Sequence, residues 1–158
     1  RDTAEKFNRI FGETFILPEP MIVEDVAVVP GTDGQKMSKS YGNTIPLFGS
    51  EEDVAKAVMS IVTGSGSDRP ENVYQIHRLL KSESELAALY TEHEGKYKAL
   101  KDALIADLEV FLSPMRAKYQ ELQNNPELID DVLAKGAQRA NEVANLKLNQ
   151  IKKAIGVI

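Results

Sequence analysis

Cysteine is absent from the 158-residue sequence, and with it any disulfide framework, thiolate zinc site or cysteine nucleophile. Histidine is nearly absent too: His77 and His93 are the two present, and neither stands in an H-E-x-x-H spacing. No metal held by protein side chains alone is therefore expected. No apolar run approaches the roughly 18 residues that a membrane span requires, and the longest candidates, such as residues 26–30, are of strand length. The first residue is Arg1, and the basic-then-apolar pattern of a secretory signal is missing. The expectation is a cytoplasmic protein, and a piece of something longer.

Apolar residues at 42% and charged residues at 27% lie near globular averages, which excludes wholesale disorder and fibrous classes. The net charge of −5 argues against a generally basic coat for nucleic acid. That charge is unevenly spread, with 9 Lys and Arg against 15 Asp and Glu in residues 1–92, and 10 against 9 in residues 93–158. An RNA surface would lie in the second part, where the last twelve residues hold Lys147, Lys152 and Lys153 and no carboxylate side chain. On composition alone, a solvated helix face is the simpler account of those lysines.

Ala4, Phe7, Ile10 and Phe11 follow a candidate Asp2 cap and precede Gly12, which predicts a short amphipathic helix. Residues 15–17 and 26–29 are β-branched or aromatic runs bounded by proline and glycine, and they predict short buried strands. Residues 30–43, PGTDGQKMSKSYGN, predict a long mobile loop. After Pro46 the period becomes helical. Ser50 with Asp53 forms a capping box ahead of Val54, Val58, Ile61 and Val62, with a stop at Gly64. Beyond the linker GSGSDRP, one helix carries Val73, Ile76 and Leu80, and Ser82 with Glu85 caps another that carries Leu86, Leu89 and Tyr90 up to Gly95. From Tyr97, a stripe of Leu100, Leu104, Leu108, Phe111, Met115, Tyr119 and Leu122 predicts one long bundle helix, kinked by Pro114 near Val110. Asn125-Pro126 opens a helix that buries Leu128, Ile129, Val132 and Leu133 and stops at Gly136. A last helix sets Ala137, Ala140 and Ala144 along one edge. The fold class is mainly α, with a strand-bearing remnant of about 48 residues ahead of an all-helical part.

Glycine-rich stretches raise the question of a nucleotide. Gly64-Ser-Gly66 lacks the third glycine of a dinucleotide turn and follows a helical pattern, so it reads as linker. Residues 31–36, GTDGQK, are not a P-loop: the glycine spacing is two residues short, and Met37 stands where Ser or Thr must hold magnesium. Lys36-Met37-Ser38-Lys39-Ser40 is different. Its two ammonium groups, interleaved with two hydroxyls on a glycine-flanked loop, can converge on a polyphosphate through charge-assisted contacts about twice as strong as neutral ones. A mobile loop can close as negative charge builds on a departing pyrophosphate, which lowers the barrier rather than merely tightening binding. Five specified residues match by chance in a chain of this size with odds of about one in ten thousand.

The pentapeptide KMSKS, after a strand pattern and before a helical region, resembles the second signature of class I aminoacyl-tRNA synthetases. With RDTAEKFNRIFGETFILPEP ahead of it, GTDGQKMSKSYGNTIPLF around it, and LSPMRAKYQEL and VLAKGAQRANEVA behind, nearly the whole chain resembles the carboxyl-terminal part of bacterial tryptophanyl-tRNA synthetases. The flanks and tail favour these over the related tyrosine enzymes. The resemblance implies that residues 1–48 end a Rossmann-like nucleotide-binding domain bearing the loop, and that residues 49–158 form an all-helical anticodon-binding bundle. It implies a parent ligase that activates tryptophan with ATP, magnesium travelling with the phosphates, releases pyrophosphate and charges tRNA(Trp). It further implies that the parent is a homodimer.

By the same resemblance, Lys36 and Lys39 would contact the ATP phosphates, Lys39 chiefly in the transition state. Ser38 and Ser40 would help through hydroxyl or backbone contacts, Met37 would pack near the adenine, and Asn43 would fix the loop. Gly95, Tyr97 and Lys101 resemble the start of the family's long helix, where an aromatic ring and a cation can hold an unpaired base, although Tyr97 also opens the buried stripe. His77 and His93 are read as ordinary helix residues, and Arg116, Lys118 and Arg139 as surface charges. The family's first signature, H-x-G-H, is absent, so the chain alone is expected not to catalyse activation. A noncatalytic helical tRNA-binding module, and a piece of the tyrosine enzyme, remain the alternatives.

Overall fold

The computed structural model describes residues 1–23, 28–64 and 69–158, and the chain is mainly α, as its periodicity requires. Among the described residues there is no strand, only an isolated antiparallel bridge between Pro30 and Lys36. Tertiary contacts divide the chain into two units, Arg1–Ile22 with Leu122–Ile158, and Val23–Glu121.

In the first unit, α1 (Asp2–Phe11) begins at the residue expected to cap it, and Arg1 takes the cap position instead. Asp2 is its first helical residue, and with Glu5 it still places negative charge at the positive end of the helix. Phe7 lies 4.8 Å from Phe11 and meets Phe15 edge-on at 5.1 Å. The strand expected at residues 15–17 does not form, and Asn8 supplies the reason. Its side chain accepts the N–H groups of Thr14 at 3.0 Å and Phe15 at 2.8 Å and donates to the Phe15 carbonyl at 2.7 Å. These backbone groups therefore need no neighbouring strand. Of the second expected strand, residues 26 and 27 lie outside the described residues, and Val28 and Val29 belong to no strand.

The other helix of this unit, the carboxyl-terminal one, spans Pro126–Ala154 with proline in its first turn, as expected. It runs 29 residues through Gly136 without a break, so the stop expected there is overturned. A glycine costs a helix interior only about 1 kcal/mol against alanine, too little to end a helix flanked by good helix formers. The Lys147 ammonium donates to the Thr14 carbonyl at 2.7 Å.

The second unit holds α2 (Glu51–Met59), α3 (Glu71–His77), α4 (Glu83–Glu92) and most of α5 (Tyr97–Asn124); the carboxyl-terminal helix is α6. Ser50 with Asp53 and Ser82 with Glu85 make the two expected capping boxes. One apolar cluster joins Ile45, Val54, Val58, Ile61, Val73, Ile76, Leu104, Leu108 and Leu112. A second joins Tyr74, Leu86, Tyr90 and Leu100. The helix end expected at Gly64 falls instead at Met59, while Ile61 remains buried and Val62 is exposed. Most of the expected linker, residues 65–68, lies outside the described residues.

The long helix α5 departs from its expected stripe past Leu108. Leu112 is buried, whereas Phe111, Met115 and Tyr119 are exposed. Steps of four from Leu100 stay on one ridge of the helix, and that ridge faces the core. Helical structure continues through Pro114. The Val110 carbonyl that proline leaves without its usual intrahelical donor belongs to a residue 78% exposed, open to solvent, so the helix bears the loss at little cost.

Candidate functional site

The lysine-bearing loop is tied down by its own backbone. The Gly31 N–H donates to the Gln35 carbonyl at 2.6 Å, the Gly34 N–H to Gly31 at 3.0 Å and the Met37 N–H to Val29 at 2.8 Å. Lys39–Tyr41 form a 3-10 turn closed by Gly42 at φ 68, a conformation that suits glycine.

Asn43, only 3% exposed, is the centre of this loop. Its side-chain oxygen accepts the Ser38 N–H at 2.8 Å, and its side-chain nitrogen donates to the Asp33 carboxylate at 2.7 Å and the Lys36 carbonyl at 3.2 Å. Its backbone carbonyl accepts the Thr32 N–H at 2.9 Å. Asn43 thus fixes the loop, as the resemblance implied. Gly31 passes so near that a Cβ there would stand 2.3 Å from the Asn43 side-chain nitrogen. The Asn43 hydrogen bond is also the main cause that holds the Asp33 carboxyl below its ordinary pKa. Sequence reasoning gave Gly31 and Asp33 no role of their own; the signal available was their place in a glycine-rich turn five and three residues ahead of Lys36.

Lys36, Lys39 and Ser40 are exposed and Ser38 is half-buried, with the Ser38 and Ser40 hydroxyl oxygens 2.8 Å apart. Met37 is half-buried against the larger apolar cluster and fastens the loop to the helical core. The result is a braced backbone carrying solvated cations, an arrangement able to grip a polyanion with little ordering of the chain itself.

Lys101 has a different surrounding from the one expected of an RNA contact. It is 9% exposed, and its ammonium donates to the Met59 carbonyl at 2.8 Å and the Ile61 carbonyl at 2.7 Å. Those carbonyls lie at the end of α2, where a cation opposes the negative pole of the helix. Burial draws its pKa below that of an ordinary lysine. Its side chain is engaged within the fold, so the structure does not bring Lys101 and Tyr97 together as one open surface. Tyr97, half-buried, stands at the first position of α5.

The histidine His77 is fully buried and bridges two helices: its ring nitrogens lie 3.2 Å from the Tyr90 hydroxyl and 2.8 Å from the Asp107 carboxylate. Lys81 pairs with the second Asp107 oxygen at 2.9 Å. Burial pushes the Asp107 carboxyl up, but hydrogen bonds from His77 and Lys81 outweigh it and hold the carboxyl below its ordinary value. Desolvation raises the Tyr90 hydroxyl well above the usual tyrosine range. This is a structural network joining α3, α4 and α5. No group of three or more His, Cys, Asp or Glu that could hold a metal occurs among the described residues, and none of their helices is long and apolar enough to cross a membrane.

The family model described as tRNA synthetases class I (W and Y) matches residues 1–125. The chain belongs to this family. Among similar proteins, the tryptophan–tRNA ligase of Rhodopirellula baltica is 39% identical over 169 residues, covering 99% of this chain and 52% of that protein. That of Bordetella parapertussis is 41% identical over 167 residues, covering 99% of this chain and 37% of that protein. A solved tryptophanyl-tRNA synthetase from Campylobacter jejuni, complexed with ADP and tryptophan, superposes with a TM-score of 0.80 at 39% identity, covering 99% of this chain and 52% of that one. The chain spans about half the length of the first of these relatives and corresponds to a carboxyl-terminal part of them.

Proposed function

We propose that the chain is the carboxyl-terminal part of a tryptophan–tRNA ligase and supplies the loop that grips ATP phosphates together with the helices that meet tRNA(Trp). The observation that carries this reading is the loop itself: Lys36 and Lys39 stand exposed on a backbone that Asn43 holds from both sides. The similarity to tryptophan–tRNA ligases, one of them solved with ADP and tryptophan, supports it.

In the proposed reaction the tryptophan carboxylate displaces pyrophosphate from ATP. Negative charge gathers on the leaving pyrophosphate, and the two ammonium groups oppose it, Lys39 most strongly in the transition state. Ser38 and Ser40 add hydroxyl or backbone contacts, and Met37 anchors the loop where the nucleotide base would lie beside it. Magnesium enters with the ATP phosphates as part of the substrate. A ribose hydroxyl at the 3′ end of the tRNA then takes the acyl group from the resulting tryptophanyl-AMP, releasing AMP, and the helices of residues 49–158 would meet the anticodon of that tRNA at Tyr97, flanked by the exposed Lys96 and Lys98. Residues 1–48 would close the Rossmann-like domain of a dimeric cytoplasmic parent. The chain alone lacks the H-x-G-H signature and is expected to give no tryptophan-dependent pyrophosphate exchange.

The test is a titration of the 158-residue chain with Mg-ATP followed by amide NMR. Resonances of residues 36–40 should shift with ATP and not with AMP, and the shifts should be lost in Lys36→Ala/Lys39→Ala. An ATP titration that moves none of them overturns the reading.

A further inference from the structure

We infer that Lys101 is a positioning residue for the lysine loop: by clamping the end of α2 it sets the backbone on which Lys36 and Lys39 stand. The inference rests on the reading of that loop as a phosphate grip, and each of its links is a hydrogen bond of the structure. The Lys101 ammonium holds the Met59 and Ile61 carbonyls at 2.8 and 2.7 Å. The following N–H, that of Val62, donates to the Thr32 carbonyl at 2.8 Å, and the Thr32 N–H donates to the Asn43 carbonyl at 2.9 Å. Asn43 in turn takes the Ser38 N–H at 2.8 Å and donates to the Lys36 carbonyl at 3.2 Å. Asn72 braces the same relay from α3, its side-chain nitrogen donating to the Val62 carbonyl at 2.8 Å. The path from the first turns of α5 to the middle of KMSKS therefore runs through hydrogen bonds joined by single residues of the chain.

The direction of control follows from burial. Lys101 and Asn43 are 9% and 3% exposed, so the ammonium and the amide have little water to take the place of a lost partner and their bonds are costly to leave unmade. Between them the chain leaves α2: the Ser60 and Ile61 N–H groups still bond back to carbonyls of the helix, whereas the Val62 N–H turns away to Thr32. Removing the ammonium leaves the buried Ile61 carbonyl and the partly buried Met59 carbonyl without this donor, and the segment loosened is the one that leads into Val62.

Amide hydrogen exchange on the 158-residue chain tests the coupling without any nucleotide. Lys101→Met keeps the aliphatic stem and removes the donors. It should speed exchange at Thr32 and Ser38 by about tenfold or more, leave the helical amides of Leu86 and Tyr90 near wild type, and be largely rescued in Lys101→Arg. Wild-type exchange at Thr32 and Ser38, or acceleration there no greater than at Leu86 and Tyr90, overturns the inference. Should Lys101→Met fail to fold, Asn72→Ala decides instead: faster exchange at the same two amides supports the relay, and unchanged exchange overturns it. The Mg-ATP titration fails or succeeds independently of these rates, so loss of the phosphate reading and loss of the positioning role are separable.

Discussion

A Cβ on Gly31 would meet the Asn43 side-chain nitrogen at 2.3 Å and its backbone carbonyl at 2.7 Å, distances at which a side chain cannot simply rotate away. Gly31→Ala is therefore expected to displace Asn43 and lose about 1–3 kcal/mol of stability, read by urea denaturation, and to shift the Ser38 amide resonance at the same time. Nothing in composition shows this, because the clash lies between residues twelve apart in the sequence. Lys101 makes the same point from the other side. Its sequence position, a cation four residues after an aromatic on a long helix, is as suitable for RNA as for any other polar partner, and only the approach of α2 assigns it to two carbonyls.

At the scale of elements, local chemistry and tertiary packing can be told apart by where sequence reasoning worked. Both capping boxes are visible as Ser-x-x-acid ahead of apolar residues because every participating atom lies within one turn. Ser82→Ala should thus destabilise α4 and the unit that contains it by about 1 kcal/mol, measured as a lowered urea midpoint at unchanged slope. Gly136 was misleading for the converse reason: a glycine marks a helix end only if the chain turns there. It sits inside α6 with no heavy atom within 4 Å of where a Cβ would go, so Gly136→Ala is expected to stabilise by about 0.5–1 kcal/mol, with a higher melting temperature and unchanged helix content by circular dichroism.

For the molecule as a whole, acid is the condition to which this fold should be most sensitive. Asp33, Asp53, Glu85 and Asp107 all sit below their ordinary pKa values of 3.8 for aspartate and 4.5 for glutamate. A carboxyl held lower in the folded state than in the unfolded chain stabilises the fold at neutral pH. That contribution is complete above the unfolded value and disappears as pH falls through the folded one. Stability should be flat from neutral pH to about 5 and decline below about 4, followed by urea midpoint against pH. The Asp33 share is expected to shrink in Asn43→Ala, whose decline should be shallower, while the Gln35 N–H still favours the carboxylate. Lys81 behaves in the opposite sense: Asp107 raises its pKa above 10.5, so its contribution holds at neutral pH and is lost as pH rises past that raised value.

The amino-acid sequence by itself determined the mainly helical character, both capping boxes, the proline-started α6 and the Lys36-Met37-Ser38-Lys39-Ser40 stretch, since each is a matter of residue type at short spacing. Tertiary structure decided the rest. Whether residues 15–17 paired as a strand depended on Asn8 reaching them first. Which α5 residues faced the core depended on the position of the other helices, which put Leu112 inside and Phe111 outside. The loop owes its shape to Asn43 and, through residues 59–62, to Lys101. Burial and hydrogen-bond partnership between distant residues are properties of the packed chain, and the free energy of a polar group depends on that partner far more than on its place in the sequence.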